Sequence, residues 1–334
     1  MDVKVVAITR ILNEADVIEA LVRHTAGYVS HHIFLDNGSA DGTVEILASL
    51  REEGIPITVF QSRAVTVNES DSMTFMYNFA NREHKPDWVL CVDADEFVDD
   101  RRIEGGLSSY LQNLTVTQSP IECISIPMIN YIATSQDDKD EQNVVVRLSR
   151  CHPEVSDAYK IILKGGLEEN DVTIQNGSHS ASLKTREIVV IRNKDIRLAH
   201  YAERSPFQYI AKFVRGWSKV LATGKSEIDK NTSYHYRPAY EILFGHPQDL
   251  LRDQNFMGFK NEYQENIVDP LVYKGGSLKY TKNLDEPMRM VRSLMGFFQE
   301  LAISHGRILE EIPGTRERVY EWESKVVKIF EDRG

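Results

Sequence analysis

The stretch WVLCVDADEF, residues 88–97, decides the fold assignment, because an apolar strand ends there in three acidic residues. Its five apolar residues in a row are typical of a strand that is buried on both faces of a sheet. Side chains two positions apart on an extended chain point the same way, so Asp93 and Asp95 can converge on one point. Carboxylate oxygens are the ligands that Mg²⁺ and Mn²⁺ prefer. The stretch therefore predicts a strand end that either binds a divalent cation or forms a solvated acidic turn, and its position after a buried strand favours the cation.

The first hundred residues alternate between apolar, β-branched runs and helical patterns, which is typical of a parallel sheet covered by helices. Strands are predicted at residues 3–9, 32–35, 57–60 and 88–93, and a helix at residues 71–82. Two further helices are predicted to begin after caps at Asn13 and Asp41. The predicted fold class is α/β, with a Rossmann-like, mostly parallel central sheet flanked by helices.

Beyond residue 120 the pattern is less regular. Strands are predicted there at residues 122–128, 143–149, 186–192 and 195–201. A helix is predicted to begin at Ser205, with Pro206 at its first position and Gln208 completing a capping box. Gly224 is predicted to end this helix.

The same predicted helix carries a basic stripe of Lys212, Arg215 and Lys219, spaced at i, i+3 and i+7. Such a stripe either helps to hold a phosphate or an anionic acceptor, or forms a solvated helix face. Both interpretations stay open from the sequence.

Two regions are predicted: a catalytic α/β domain at residues 1–224, and a turn-rich segment with C-terminal helices at residues 225–334. The C-terminal helices are predicted at residues 286–309 and 315–331. The first of them gathers apolar residues on one side, namely Met288, Val291, Leu294, Met295, Phe298, Leu301 and Ala302. This side suits packing on the core, a homodimer contact or a peripheral membrane contact, and packing within the chain is the favoured interpretation.

The composition is that of an ordinary globular protein, with 334 residues, 42% of them hydrophobic and 27% charged. A net charge of −11 repels polyphosphate backbones, which argues against nucleic-acid binding. No secretion signal and no apolar run long enough to span a membrane is visible. Cys91, Cys123 and Cys151 are odd in number and widely spaced, which indicates reduced thiols in a cytoplasmic protein.

Several motifs with known chemistry are excluded. TGKS at residues 223–226 would need glycine at position 219 to form a phosphate-binding loop, and Lys219 stands there. No GxGxxG follows the first strand, which disfavours a dinucleotide-dependent oxidoreductase. No GxSxG or HExxH occurs either.

Three segments in a fixed order resemble one enzyme family. ITRILNEADVIEALVRH (8–24), IFLDNGSADGTVEIL (33–47) and WVLCVDADEFV (88–98) are similar in order and spacing to nucleotide-sugar glycosyltransferases of the GT-A fold, specifically family 2. The later segment LAHYAERSPFQYIAKFVRG (198–216) resembles a His-Tyr, Arg/Lys-Ser, Lys, Gly series near the end of the core in one branch of that family. The resemblance covers residues 3–220 and implies a GT-A fold, here with a C-terminal helical extension.

The resemblance implies a nucleotide pocket at the ends of the first two strands. Thr9, Arg10 and Glu14 would line the pocket, and Asp36 would hydrogen-bond the base. From the residues alone, Asp36 is equally a turn-forming residue of the DNGS sequence. The implied ligand is a nucleotide-sugar donor, with a UDP-sugar as the favoured one.

The resemblance also implies a metal site for Mn²⁺ or Mg²⁺. Asp93 would contact the ribose or the metal, and Asp95 would be the principal metal ligand. Enzymes of this fold often add a C-terminal histidine, for which His200 is the best match and His179 is the alternative. A lone histidine also has purely structural roles.

The catalytic base is the least defined part of the implied site. Inverting members of the family use a carboxylate to deprotonate the acceptor hydroxyl, and their usual Glu-Asp pair before a helix is not clearly present here. Glu169, in GGLEENDV (165–172), is chosen over Glu168 and Asp171.

The sequence thus predicts a metal-dependent, inverting glycosyltransferase that moves a sugar to a hydroxyl of a glycan or a lipid-linked glycan. By resemblance, it would act in bacterial surface-polysaccharide assembly, in the cytoplasm or peripherally at the inner face of the membrane. Two alternatives stay open. A sugar nucleotidyltransferase would use the same aspartates but release pyrophosphate, and a non-catalytic nucleotide- or glycan-binding protein would show no turnover.

Overall fold

The computed structural model describes residues 3–167, 171–245, 265–282 and 284–325. The strands in these ranges are β1 (Val5–Ile11), β2 (His31–Asp36), β3 (Ile57–Gln61), β4 (Trp88–Cys91), β5 (Glu96–Asp99), β6 (Cys123–Ile132), β7 (Arg150–Cys151), β8 (Tyr159–Lys164), β9 (Val172–Ile174), β10 (Ala181–Leu183), β11 (Val190–Arg192), β12 (Arg197–His200) and β13 (Ile267–Val268).

The helices in the same ranges are α1 (Ile18–Thr25), α2 (Thr43–Glu52), α3 (Glu69–His84), α4 (Gly106–Val116), α5 (Val144–Arg147), α6 (Pro206–Thr223), α7 (Lys225–Asp229), α8 (Arg237–Gly245), α9 (Glu286–Glu311) and α10 (Thr315–Glu323). Two single 3₁₀ turns lie at Asn176–Ser178 and Tyr234–Tyr236. None of the helices described is long and apolar enough to cross a membrane.

One large sheet organises the protein, with its strands in the order β13-β7-β6-β8-β4-β1-β2-β3. β11 and β12 also pair with β6, β5 pairs with β12, and β9 and β10 form a separate pair. The neighbours β3, β2, β1 and β4 are parallel, whereas β8 runs antiparallel between β4 and β6. Parallel strands joined by helices confirm the predicted α/β class and its Rossmann-like sheet.

Helices cover both faces of the parallel strands, because successive strand residues alternate between the two faces. On one face, the core contains Phe34 of β2 together with Leu21 of α1 and Leu47 of α2. On the other face, it contains Ile33 of β2 together with Met76 of α3. The carboxyl ends of β1, β2 and β4 are therefore brought to one edge of the sheet.

The predicted strand at residues 143–149 is wrong. Residues Val144–Arg147 form α5, and the Asn143 side chain accepts a hydrogen bond from the Val145 backbone N–H at 3.1 Å. A short apolar run fits a buried helical turn as well as a strand, and here the Asn143 cap favours the turn.

Two of the predicted helix caps need correction. Asn13 does not cap α1, which begins at Ile18; its side chain instead accepts a hydrogen bond from the Ala40 backbone N–H at 2.7 Å. Asp41 accepts from the Thr43 N–H at 3.1 Å, although glycine occupies the cap position of α2.

The start of α6 is confirmed. The Ser205 hydroxyl accepts a hydrogen bond from the Gln208 N–H at 3.1 Å, and Gly224 follows the last helical residue. The Gln208 side chain accepts from the N–H of Arg204 rather than from that of Ser205, so the capping box is displaced by one residue.

The predicted packing of the apolar side of α9 is wrong for four of its residues, since they are between 47% and 66% exposed: Met288, Val291, Met295 and Phe298. The face that α9 turns toward the core carries Arg289 and Ser293, which are buried. Arg289 is held there by ion pairs to Asp16 and Asp41, each at 3.0 Å. Residues 326–331 of the last predicted helix lie outside the described residues.

Candidate active site

Helix α6 lies across the carboxyl ends of three parallel strands, and its basic stripe points toward them. The contacts are Lys212 Nζ to Asp95 Oδ2 at 2.7 Å beyond β4, Arg215 Nη1 to the Leu12 carbonyl at 3.3 Å beyond β1, and Lys219 Nζ to Asn37 Oδ1 at 2.7 Å beyond β2. Ligands of open α/β sheets bind at this edge. The stripe is therefore part of the candidate site and not a solvated face.

Asp95 is the centre of the charge cluster beyond β4. It is 4% exposed, and its Oδ2 accepts from Lys212 Nζ at 2.7 Å and from Arg204 Nη1 at 3.3 Å. Burial alone would raise the pKa of Asp95, but Lys212, His200 and Arg204 outweigh burial and hold that pKa well below its usual range. Asp95 is therefore ionised at neutral pH.

His200 ends β12, which pairs with β5 and β6 and so lies next to the Asp95 turn. Its Nδ1 lies 2.8 Å from Asn130 Oδ1, which can only accept, so Nδ1 carries the proton and donates it. Burial lowers the pKa of His200 to about 4, so the ring is neutral at neutral pH. The unprotonated Nε2 faces Asp95 Oδ2 at 3.9 Å.

The pair of Asp95 and His200 fits a divalent cation. Nitrogen and oxygen donors of this kind suit Mn²⁺ or Mg²⁺. Lys212 Nζ and Arg204 Nη1 contact the same Asp95 oxygen, so a divalent cation would share this carboxylate with them. A hydrogen-bond acceptor on the other ring nitrogen, as Asn130 Oδ1 is here, fixes the orientation of a histidine that binds a metal. Within the described ranges, no group of three such ligands occurs.

Asp93 has a different partner, the buried Lys160 of β8. Lys160 Nζ is 2.7 Å from Asp93 Oδ2 and 3.4 Å from Glu96 Oε1. Burial raises the pKa of Glu96 to about 8, so Glu96 carries a proton at neutral pH and Asp93 supplies the negative charge. The Asp93 side chain is 37% exposed, which leaves it accessible to a ligand.

Arg204 joins Asp95 to the loop after β1. Its guanidinium is buried and lies 2.6 Å from both Glu14 Oε2 and Asp16 Oδ2. Burial raises the pKa of Glu14 to about 7. Burial also favours a higher pKa for Asp16, but Arg204 and Arg289 outweigh it and hold the pKa of Asp16 below its usual range. Of the three carboxylates around Arg204, Asp95 and Asp16 are thus held as anions, whereas Glu14 titrates near neutrality.

Asp36 holds the turn that follows β2. It is fully buried and accepts hydrogen bonds from the Ser39 N–H at 3.0 Å and from Gln61 Nε2 at 3.1 Å. Thr9 is 2% exposed. These hydrogen bonds explain Asp36 as a residue that stabilises the turn. Contact of Asp36 or Thr9 with the nucleotide stays a prediction.

Arg10 lies at the end of β1, one strand away from Asp93. Ile8 of β1 pairs with Cys91, the last residue of β4, in parallel register, so Arg10 and Asp93 lie at the same edge of the sheet. Both are close enough to Tyr236 to affect the pKa of its hydroxyl. Arg10 Nη1 is buried and has no hydrogen-bond partner. Its position agrees with the predicted pocket.

Tyr236 borders the same space from the other side. Burial raises the pKa of its hydroxyl, and Glu69 and Asp93 are close enough to add to that effect. Its ring packs against Gly216 of α6, where a Cβ atom would lie 2.5 Å from Tyr236 Cδ2. Glycine at position 216 therefore allows the ring to lie on the helix.

The predicted base, Glu169, and its neighbour Glu168 lie outside the described residues. Asp171 holds the β9–β10 pair, since it accepts from the Lys184 N–H at 2.7 Å and from the Thr185 hydroxyl at 2.6 Å. His179, the alternative metal ligand, contacts the Tyr159 carbonyl through Nδ1 at 2.6 Å. This contact leaves Nε2 of His179 available, so the choice between His200, which faces Asp95, and His179 stays a prediction.

The sequence did not indicate the roles of Lys160, Glu96, Arg204, Asn130 and Tyr236. A usable signal existed for Lys160, because a charged residue among the apolar residues of a strand is rarely buried without a partner. Arg204 lies within the segment that resembles the family, but its carboxylate partners are distant in sequence.

The N-terminal third of the chain, which includes the strand ends of the candidate site, matches a known protein family. Residues 7–126 match the family model described as Glycosyl transferase family 2. This segment is therefore similar to glycosyl transferase family 2. The match includes the ends of β1, β2 and β4, and it identifies the segment as that of a glycosyltransferase, as predicted. His200 and α6 lie beyond the family 2 segment. No curated protein matches the chain significantly.

Three solved structures overlap with the chain at low identity. TarS 1-349 of S. aureus is 15% identical, with 89% of this chain and 81% of that chain covered and a TM-score of 0.36. The mannosyltransferase PcManGT from Pyrobaculum calidifontis, in complex with GDP-Man and Mn²⁺, is 13% identical, with 91% and 87% covered and a TM-score of 0.37. The glucosyl-3-phosphoglycerate synthase of Mycobacterium tuberculosis, in complex with Mn²⁺ and uridine-diphosphate, is 17% identical, with 38% and 44% covered and a TM-score of 0.26. At such TM-scores, these overlaps add no support to the assignment.

Proposed function

We propose that the protein is a metal-dependent, nucleotide-sugar glycosyltransferase in which Asp95 and His200 hold a divalent cation beside the donor's diphosphate. The observation that carries the proposal is the neutral His200 Nε2 facing the ionised Asp95 carboxylate at the end of β4. The family 2 match of residues 7–126 supports the class of reaction.

Mn²⁺ or Mg²⁺, when bound, would neutralise charge that develops on the departing nucleoside diphosphate. The exposed carboxylate of Asp93 is available to the ribose or to the cation, while Lys160 fixes its orientation. Asp36 stabilises the turn after β2. Arg10 Nη1, which has no hydrogen-bond partner in the protein, would donate a hydrogen bond to the nucleotide. A UDP-sugar is the first donor to test.

A thermal-shift panel of UDP, GDP, TDP and CMP, each with and without Mn²⁺, tests the proposal, because ligand binding raises the melting temperature by mass action. We expect a Mn²⁺-dependent shift for one nucleoside diphosphate in the wild type. His200→Ala and Asp95→Asn should lose it. His305→Ala, which changes an exposed histidine of α9, is the matched control and should keep it. A full Mn²⁺-dependent shift in His200→Ala would show that the metal assignment is wrong.

The released product separates the proposal from its nearest alternatives. A glycosyltransferase releases a nucleoside diphosphate from a nucleotide sugar, slowly even with water as the acceptor. Release of pyrophosphate from a nucleoside triphosphate and a sugar phosphate would instead identify a nucleotidyltransferase. Metal-dependent nucleotide binding without turnover of any donor would favour a binding protein.

The proposed reaction inverts the anomeric configuration and uses Glu169 as the base. A general base typically contributes on the order of 10² to 10⁴ in rate, so Glu169→Gln should lower kcat by such a factor while leaving donor binding intact. Glu168→Gln is the matched control and should retain activity. An NMR spectrum showing the donor's anomeric configuration in the product would contradict inversion.

The proposed acceptor is a glycan or lipid-linked glycan, handled in the cytoplasm. The three cysteines are buried and unpaired, which supports a reducing compartment. The exposed residues Met295 and Phe298 of α9 would contact either a second copy of the chain or the membrane that carries the acceptor. Sedimentation of the protein and its flotation with lipid vesicles, each repeated with Phe298→Glu, distinguish these partners.

A further inference from the structure

Three cationic side chains lie together between the ends of β1 and β2 and helix α6. They are Arg10, Arg215 and Lys219. Arg215 is 6% exposed and Lys219 is 7% exposed, and Arg10 Nη1 is buried without a partner. The residues that the structure describes include no ion-pair partner for any of the three.

The contacts that these cations do make are to neutral oxygens. Lys219 Nζ donates to Asn37 Oδ1 at 2.7 Å. Arg215 Nε donates to the Ala211 carbonyl at 3.0 Å, and its Nη1 donates to the Leu12 carbonyl at 3.3 Å. Neutral acceptors orient a cation but leave its charge uncompensated.

The other buried cationic side chains in the described part of the chain do form ion pairs. Lys160 is paired with Asp93, Arg204 with Asp16, and Arg289 with both Asp16 and Asp41. A protein with a net charge of −11 has no general shortage of carboxylates. The group of Arg10, Arg215 and Lys219 is therefore a local excess of positive charge, and its buried part, Arg215 and Lys219, is costly unless an anion compensates it.

The electrostatics agree with the geometry. Burial, together with repulsion from Arg10 and Arg215, lowers the pKa of Lys219 to about 7. Burial also lowers the pKa of Arg215, although Glu14 and Asp41 favour its charged form from beyond ion-pair distance. Glu69 is the carboxylate that favours the charged form of Lys219, and it is too far away to form an ion pair.

The location indicates which anion would fit. Arg10 and Asp93 both lie near Tyr236, and the stripe of α6 continues from Lys219 to Lys212, which contacts Asp95. The cationic group therefore borders the proposed cation site. A diphosphate carries several negative charges on oxygens that can accept charge-assisted hydrogen bonds from two such donors at once.

We propose that Arg10 and Lys219, with the charge of Arg215 behind them, form a phosphate-binding site that holds the diphosphate of the donor without requiring the divalent cation. The donor as the source of the diphosphate rests on the proposed function. The anion site itself does not, because inorganic pyrophosphate would occupy it as well.

Calorimetric titration of the full chain with inorganic pyrophosphate in EDTA tests the proposal. We expect measurable binding to the wild type. Lys219→Gln and Arg10→Gln should each weaken it by about tenfold or more, since each removes a charge-assisted hydrogen bond. Lys219→Arg should retain most of it. Lys230→Gln, which changes an exposed lysine of the neighbouring region paired with Glu227, is the control and should bind as the wild type does.

The melting temperature without ligand separates a binding role from a structural one. Loss of an uncompensated buried charge should leave the melting temperature of Lys219→Gln unchanged or raise it, whereas a structural lysine would lower it. The proposal is overturned if the wild type does not bind pyrophosphate in EDTA, or if Lys219→Gln and Arg10→Gln bind it with wild-type affinity.

UDP and a phosphorylated sugar serve as further ligands in the same titration. Tighter binding of UDP than of pyrophosphate supports the nucleotide-sugar donor as the source of the bound diphosphate. Tighter binding of the phosphorylated sugar than of UDP overturns this assignment to the donor. Pyrophosphate binding without turnover of any nucleotide sugar leaves the anion site standing and removes the proposed function. Turnover of a nucleotide sugar with full activity in Lys219→Gln and Arg10→Gln supports the proposed function and removes the anion site.

Discussion

Replacing Arg204 with methionine should lower the free energy of unfolding by about 3 kcal/mol at neutral pH, which is the lower end for breaking a buried ion pair. Arg204 is 2% exposed, and its guanidinium lies 2.6 Å from the carboxylates of Asp16 and Glu14. Methionine retains an apolar stem but no charge, so buried carboxylates would lose their nearest cation.

The lower end applies because each carboxylate has another way to be compensated. Asp16 keeps Arg289 at 3.0 Å, and Asp95 keeps Lys212 at 2.7 Å. Glu14 can take up a proton, because burial already raises its pKa to about 7. The remaining cost is the lost attraction of Arg204 for Asp16, which stays ionised.

Urea unfolding of Arg204→Met, Asp16→Asn and the double variant measures this cost and the coupling between the two residues. Arg82→Met is the matched control. It breaks an exposed pair with Glu83, in which both side chains are about half exposed, and it should cost no more than about 1 kcal/mol. A loss below about 1 kcal/mol in Arg204→Met, or a coupling energy near zero, would refute the reasoning.

Three further outcomes are expected. Glu14→Gln should gain stability over the wild type as pH rises from 4.5 to about 7, because the raised pKa of Glu14 makes the folded state bind the proton that the unfolded state releases in that range; urea titrations at pH 4 and 8 check this, and a gap that widens toward acid would contradict it. Gly216→Ala should cost roughly 1 to 3 kcal/mol and weaken nucleotide binding, because its Cβ meets the Tyr236 ring; an unchanged melting temperature would show that the ring moves freely. Asn130→Leu should weaken Mn²⁺-dependent nucleotide binding by about 10- to 100-fold through the freed His200 ring, as measured by Mn²⁺ titration, and equal Mn²⁺ affinity would remove Asn130 from the site.

The N-terminal fold could be predicted because buried parallel strands give continuous apolar runs, and the helices between them show a 3.6-residue period. The prediction failed at residues 143–149, where the same kind of run forms the short helix α5. It also failed for the side of α9 bearing Phe298. Periodicity shows which residues share a face, but an ion pair to Arg289 decided which face is buried.

The sequence could predict that Asp95 follows a strand end and that His200 ends a strand, and the structure brings the two side chains together; metal binding by them stays a prediction. The partners that tune these residues were not predictable, because they come from remote parts of the chain. Arg204 and Asp16 are 188 positions apart, and Lys160 reaches Asp93 from an adjacent antiparallel strand. The sequence shows which side chains are charged, but the ion-pair partner of each one depends on the three-dimensional fold.

The docking of α9 through Arg289 limits how the gene can be shortened. Helix α9 supplies a cation to Asp16 and Asp41, two buried carboxylates that belong to the family 2 segment. An expression fragment that stops at residue 224 would leave Asp41 without its ion-pair partner and Asp16 with Arg204 alone. Fragments intended for crystallisation or engineering should therefore extend through α9, even though the sequence suggests an earlier boundary.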